Sequence, residues 1–193
     1  MPSEAFWEDR YRTGNTGWDL GGPAPVLAKL LKENRPPGTR AAVPGCGFGH
    51  DVHLLASAGF EAWGFDFSDE AIRAAREAPA AKFVKADVFE LPRRYAASFD
   101  FLWEYTCYCA IDPARRKEYV AALHDILAPG GELAALLFPM KEIAPGPPFV
   151  VHREEVDTVF APRFDIVSIE EPRESVEHRR GLEILVRMKR KRT

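Results

Sequence analysis

Apolar residues along the chain recur in two periods, and the switches between those periods predict its elements. Pro25 to Lys32 has helical spacing in Val26, Leu27, Leu30 and Leu31 and stops before Pro36-Pro37-Gly38. Arg40 to Val43 reads as a short strand, ended by Pro44 and a cluster of glycines. Asp51 to Ala58 carries an apolar face of Val52, Leu54, Leu55 and Ala58, and Gly59 closes that helix. Glu61 to Phe65 is a second strand, and Ser68 is placed to cap a helix running through Ala78. Lys82 to Lys85 and Phe99 to Tyr105 are two further strands.

Asp112-Pro113 opens the next helix, with a capping side chain followed by proline at the first position. That helix carries Tyr119, Val120, Leu123, Ile126 and Leu127 and stops at Pro129-Gly130-Gly131. Leu133 to Phe138 is a continuous apolar run, expected of a strand covered on both faces. A Pro/Gly-rich loop from Ala144 to Pro148 precedes a helix near Glu154 to Phe160. Phe164 to Ile169 and Leu182 to Met188 are strands joined by a polar loop, and are therefore expected to be antiparallel. Strands alternating with helices predict an α/β fold: a doubly wound, mainly parallel seven-stranded sheet whose last strand is antiparallel.

The chain has 193 residues, and the reading is one domain over 1–193 with 1–24 as an N-terminal segment. Apolar residues at 46% and charged residues at 28% are ordinary for a globular chain. A formal net charge of −3 gives no global attraction to nucleic acid or membrane surfaces. The Lys189-Arg190-Lys191-Arg192 run reads as a solvated tail. There is no apolar leader at the start and no stretch long enough to span a membrane. Three cysteines do not make a disulfide framework, so a reducing cytoplasm is expected, with a monomer as the default. Cys107 and Cys109 alternate and are expected on one face of a strand. Neither the cysteines nor the five scattered histidines show metal-ligand spacing, so no metal is expected.

The chemistry concentrates at strand ends. Gly45-Cys46-Gly47-Phe48-Gly49 lies between the first strand and the next helix, where backbone without Cβ can approach a ligand. A dinucleotide fingerprint would place its third glycine at position 50, which is His50; Gly-x-Gly-x-Gly instead resembles the methyltransferase loop. Asp66 ends the second strand about twenty residues later, where an acid accepts hydrogen bonds from ribose hydroxyls or simply caps the Ser68 helix. Asp87 follows the third strand, and with Val88 could read an adenine edge or serve as an ordinary turn residue. Trp7 and Tyr11 stand at i and i+4 on one side of a helix, with Trp18 beyond them. They either staple that helix to the domain or form a lid whose ring faces attract a cation.

Val43-Pro44-Gly45-Cys46-Gly47-Phe48-Gly49-His50-Asp51 resembles the signature loop of the thiopurine S-methyltransferase family. Phe6-Trp7-Glu8 through Trp18-Asp19 resembles its N-terminal aromatic segment, and Phe99 through Ile111 its fourth-strand segment in the thiol and halide branch. Tyr11 stands where that branch often has Trp, and Glu104 where Asp is commoner. Pro129-Gly130-Gly131 and Gly146-Pro147-Pro148-Phe149 complete a pattern that covers nearly the whole chain. The resemblance implies a class I, Rossmann-like fold that binds S-adenosylmethionine and methylates a small acceptor. It implies cofactor contacts from Trp7, Tyr11, Trp18, Gly45, Gly47, Asp66, Asp87, Val88 and Tyr105. It also implies an acceptor pocket near Tyr105, Tyr108 and Phe149; the two tyrosines either donate hydrogen bonds that orient the acceptor or are ordinary core residues of a strand end.

Methyl transfer from a sulfonium needs a soft nucleophile held about 3 Å from the methyl carbon, and water kept out. A halide or hydrosulfide needs no general base, which suits a sequence without an evident nucleophile-base pair. The expected acceptor is therefore a thiol, a sulfide or a halide-type anion. Aromatic thiols, thiopurines and selenium or tellurium species stay open. A nicotinamide-dependent reductase is disfavoured by His50 and by the lack of a Tyr-x-x-x-Lys motif. A binding module without turnover is the remaining alternative, supported by Tyr11 and Glu104 alone.

Overall fold

The computed structural model describes residues 3–76, 81–143 and 146–191. In chain order the elements are α1 (Glu4–Thr13), α2 (Pro25–Glu33), β1 (Arg40–Pro44), α3 (His50–Ser57), β2 (Glu61–Asp66), α4 (Asp69–Ala75) and β3 (Lys82–Lys85). There follow α5 (Leu91–Tyr95), β4 (Phe99–Tyr105), α6 (Arg116–Ile126), β5 (Leu127–Leu137), β6 (Phe164–Glu170) and β7 (Ile184–Arg190). The sheet order is β3-β2-β1-β4-β5-β7-β6. β1 to β5 pair in parallel, and β7 runs antiparallel to both β5 and β6. The chain builds outward from β1 to β3 and then returns to place β4 beside β1. The crevice for a ligand therefore opens beyond the carboxyl ends of β1 and β4.

Two hydrophobic layers hold the helices on the sheet, and the period of the strands sorts side chains between them. Leu102, Leu133, Ala135 and Leu137 face a layer that contains Tyr119, Val120 and Leu123 of α6. Phe101, Trp103, Ala134 and Leu136 face the other, against Val26, Leu27 and Leu30 of α2 and Val52 and Leu55 of α3. The unbroken apolar run of β5 is thus buried on both sides, as its composition predicts. Ser68 caps α4, its Oγ accepting from the Ala71 amide at 3.1 Å. α4 ends at Ala75, and the expected end at Ala78 lies outside the described residues, as do Ala144 and Pro145 of the Pro/Gly-rich loop.

Four local expectations are corrected. Leu127 does not end α6 but begins β5, where it pairs with Phe99, so the strand starts before the Pro-Gly-Gly turn. β4 stops at Tyr105 and Thr106 takes φ 62°, so Cys107 and Cys109 do not alternate along a strand; Cys109 sits in a 3-10 turn, Tyr108–Ala110. Lys189 and Arg190 are not tail residues, because they pair with Glu132 and Phe164 as the end of β7. The short helix α5 after Leu91-Pro92 has too few residues to show a period and was not expected.

The N-terminus of α3 is pinned across layers by Asp51. Its Oδ2 accepts from Trp103 Nε1 at 2.7 Å and its Oδ1 from the Ala24 amide at 2.7 Å, joining β4 to the start of α2. Replacing Asp51 by Ala strands two donors, and is expected to cost about 2–4 kcal/mol. That corresponds to a fall in Tm of roughly 4–16 °C by thermal denaturation; an unchanged Tm would show that the link carries no stability.

Candidate active site

The loops beyond β1, β2 and β3 are drawn together by one carboxylate. Asp66 Oδ2 accepts from the Gly47 amide at 3.0 Å, and Oδ1 from the Ser68 amide at 3.0 Å. The Asp66 carbonyl accepts from the Ala86 amide at 2.9 Å, extending the tie to β3. Burial raises the Asp66 carboxyl above the usual carboxylate range, and the Ser68, Gly47 and Phe67 amides with the Tyr11 hydroxyl pull against that rise. Gly45 has φ 65°, and a Cβ on it would lie 2.6 Å from Cys107 Sγ. Glycine there lets the loop press on the segment after β4. Asp87 Oδ1 accepts from the Phe89 amide at 3.0 Å and so caps a turn, while its neighbour Val88 is buried.

Over this rim lies α1 with the segment that follows it. Trp7 meets Trp18 edge to face at 5.2 Å, Trp18 meets Tyr11 at 5.3 Å, and Tyr11 meets Phe48 of the glycine loop at 5.3 Å. The Tyr11 hydroxyl faces Asp66. Glu8 latches the helix from below: its carboxylate accepts from Ser68 Oγ at 2.5 Å and from the Glu70 amide at 3.1 Å. Between lid and rim is a cavity of about 900 Å³, with Trp7, Tyr11, Trp18, Gly45, Asp66, Asp87 and Val88 in its wall. Of the residues expected to contact a cofactor, those seven converge there. Gly47 and Tyr105 line a smaller cleft of about 60 Å³ that adjoins it at Trp18, Gly45 and Thr106.

The expected acceptor residues are placed differently. The Tyr108 hydroxyl is not turned to the cavity but donates to Glu155 Oε2 at 2.6 Å, and the residue is buried in the core. Phe149 is not in the described cavity wall; its amide donates to the Cys109 carbonyl at 2.7 Å and its ring packs against Gly146. The Tyr105 hydroxyl donates to Glu183 Oε1 at 2.6 Å and accepts from Arg179 Nη1 at 2.5 Å. Burial pushes all such tyrosine protons further from release, and each hydroxyl is already committed. Another part of the cavity wall is made by Phe138, Ile143, Pro147, His178, Arg179 and Leu182.

A family model described as thiopurine S-methyltransferase (TPMT) matches residues 2–192. The chain belongs to the thiopurine S-methyltransferase family. It is 37% identical to the Probable thiol methyltransferase 2 of Arabidopsis thaliana, with 99% of this chain and 87% of that protein covered. It is also 37% identical to the Thiocyanate methyltransferase 1 of Brassica oleracea, over 97% of this chain and 85% of that protein. Among solved structures, a Burkholderia thailandensis 1,6-didemethyltoxoflavin-N1-methyltransferase with bound S-adenosylhomocysteine shares the fold. Its TM-score is 0.75 at 20% identity, covering 98% of this chain and 87% of that one. This member of the family is thus an S-adenosylmethionine-dependent S-methyltransferase of class I fold. The cavity suits the donor chemically: acids stand where hydroxyls would need acceptors, and aromatic rings lie over the place where a sulfonium would be sheltered.

Four residues of the site escaped the sequence. Glu8 lies in a quoted motif, yet nothing local marks it as the partner of Ser68. Arg179 and Glu183 sit in a stretch with His178 and Arg180, and nothing in their spacing separates them from surface charges. Glu104 was noted only as a departure from Asp. It is fully buried, with Oε1 accepting from the Tyr108 amide at 2.6 Å and Oε2 unpartnered. Burial holds its carboxyl up at about 7.

That value fixes the sign of a pH effect. Between the ordinary glutamate value and about 7 the folded chain keeps a proton that the unfolded chain has lost. The contribution of Glu104 is therefore fully present at low pH and declines as the pH rises to about 7. Glu104→Gln keeps the acceptor for the Tyr108 amide and removes the charge. Its Tm should stay near that of the parent at pH 4.5 and exceed it by roughly 5–10 °C at pH 8. A difference that does not grow with pH would contradict the assignment.

Proposed function

We propose that this chain transfers a methyl group from S-adenosylmethionine to a small sulfur nucleophile, a thiol or a sulfide. The carrying observation is the single cavity that joins the Asp66 and Asp87 rim, the Trp7-Tyr11-Trp18 lid and the wall of Phe138, Ile143, Pro147 and Leu182. The names of the thiol and thiocyanate methyltransferases among its relatives support the acceptor class. The donor supplies an electrophilic methyl on a sulfonium, open to displacement from the side opposite the departing sulfur.

The residues of the chain bind, orient and exclude water. Asp66 already faces the Gly47 and Ser68 amides and the Tyr11 hydroxyl, and the ribose hydroxyls share its acceptor oxygens with them. Val88 and Asp87 border the adenine end, while Gly45 and Gly47 leave room for the methionine portion. The lid rings shelter the cation and keep water from the reacting atoms. Tyr105 orients Arg179 from the adjoining cleft, and Tyr108 is held in the core by Glu155. The wider proposal is a monomer in a reducing cytoplasm, in keeping with three free cysteines.

Calorimetry should show S-adenosylhomocysteine binding to the purified chain, and incubation with S-adenosylmethionine and a thiol panel should yield methyl thioethers by mass. Donor binding without any methylated sulfur product would reject the acceptor class, and no binding would reject the site. Asp66→Ala is expected to raise the KM for the donor roughly 10- to 100-fold, by removing two hydrogen bonds to a charged acceptor. An unchanged donor KM would remove Asp66 from the binding site.

A further inference from the structure

Two carboxylates line the smaller cleft, Asp51 and Asp19. Asp51 is taken up by the fold, one oxygen accepting from Trp103 and the other from the Ala24 amide. Asp19 differs. Its Oδ1 accepts from the Gly21 amide at 3.2 Å and lies 3.3 Å from His50 Nε2. Among the described residues nothing donates to its Oδ2. The His50 contact is longer than a committed charge-assisted bond, which runs to about 2.7–2.9 Å. The Arg116–Glu155 pair, at 2.6 Å, shows such a bond in this fold. Asp19 is only part-buried, and its amide donates to the Thr16 carbonyl at 2.9 Å, which sets the turn that carries it.

The cleft continues the cavity in the direction that the donor must extend. Asp87 follows β3, Asp66 ends β2 and Gly45 follows β1, in the order in which those strands stand in the sheet. Neighbouring strands lie about 4.8 Å apart, so adenine at Asp87 and ribose at Asp66 send the methionine portion toward Gly45. There, at Gly45, Trp18 and Thr106, the cleft joins the cavity. A water needs about 10–15 Å³ of such space, so the cleft of about 60 Å³ holds roughly four to six heavy atoms. The amino-acid end of the donor is a group of that size: one carbon, the ammonium nitrogen and the carboxylate. An ammonium has N–H donors and no lone pair, and its strongest partner is a charged acceptor. In the cleft wall, Asp19 Oδ2 is the carboxylate oxygen left to accept from it.

We propose that Asp19 binds the ammonium of the donor's methionine portion, which makes the small cleft the amino-acid subsite of the cavity. This rests on the donor orientation proposed above and adds a residue to it. Asp19 follows Trp18, so a single step of chain brings a ring over the sulfonium and a carboxylate to the ammonium. The N-terminal segment then recognises the positively charged part of the donor, while the ends of β2 and β3 recognise its nucleoside. His50, in the first turn of α3, meets Oδ1 only and leaves Oδ2 to the ligand. S-Adenosylhomocysteine keeps the same ammonium, so Asp19 holds donor and product alike. A contact of that kind lowers the KM for the donor without acting on the transfer step.

The test compares three ligands by calorimetry on the full chain: S-adenosylhomocysteine, its deaminated analogue, and 5′-methylthioadenosine, which lacks the amino-acid end. In the parent protein the deaminated analogue should bind roughly 10- to 100-fold more weakly than S-adenosylhomocysteine. Asp19→Asn keeps the Oδ1 contact and removes the charge. It should raise the Kd for S-adenosylhomocysteine and the KM for S-adenosylmethionine roughly 10- to 100-fold, with kcat within about threefold of the parent. Its Kd values for 5′-methylthioadenosine and for the deaminated analogue should stay within about threefold of the parent. Equal binding of S-adenosylhomocysteine and its deaminated analogue by the parent would overturn the proposal, whatever the variant does. An unchanged affinity of Asp19→Asn for S-adenosylhomocysteine would also overturn it and assign the ammonium to backbone carbonyls. So would an equal weakening of all three ligands, which would make Asp19 a support of the lid and not part of a subsite. Failure of the parent to bind any of the three would count against the donor site itself, a separate outcome.

Discussion

The site depends on a buried carboxylate that is kept in place by backbone amides. Asp66 sits at the end of β2 and takes one bond from the glycine loop and one from the start of α4. Desolvation works against its charge and prevails, and the amides, fixed by the surrounding elements, offset part of it. Three consequences follow from that one constraint. The Gly45–Gly49 loop is held in its ligand-facing shape before any ligand arrives. Ser68 is positioned both to cap α4 and to receive the lid through Glu8. Tyr11, standing where relatives of the thiol and halide branch often carry Trp, brings a hydroxyl to face the same acid. Preorganisation of this kind spares the protein the ordering cost at the moment of binding.

Charged side chains of both signs line the cavity. Asp66 and Asp87 stand at the ends of β2 and β3 beside Lys85, Arg10 comes from α1, and His178 and Arg179 stand nearer the end of β4. The strand order reverses at β1 and β4, which sets Asp66 and Asp87 on one side of the crevice and Arg179 on the other. Trp18 belongs to both sides, because its ring packs the lid and its carbonyl accepts from Arg179. The N-terminal segment and the Arg179 end of the cavity are thereby joined through one residue.

What the sequence made legible was local or periodic. The seven strands, the lone antiparallel one, the Ser68 cap and the helical pair Trp7 and Tyr11 are all set by near neighbours or by an apolar period. The glycine loop and Asp66 were legible because their spacing belongs to one strand-loop-helix-strand unit. The Arg179 end of the cavity was not. Arg179 acquires its place only from Tyr105 in β4 and Trp18 in the lid, which are distant in the chain. Tyr108 and Phe149 are likewise placed by contacts distant in the chain. A hydroxyl near a strand end looks available until Glu155, from a later segment, is found to accept from it. Leu127 fitted the helical period of α6 equally well, and only its pairing with Phe99 assigns it to β5.

The position of the donor relative to the two ends of the cavity is the central question for this site. A crystal structure of the complex with S-adenosylhomocysteine decides this directly. The ribose hydroxyls should donate to Asp66, the adenine should lie beside Asp87 and Val88, and the sulfur should open toward the end that holds Arg179. A ligand bound with its ribose away from Asp66, or with its own carboxylate on Arg179, would contradict the account.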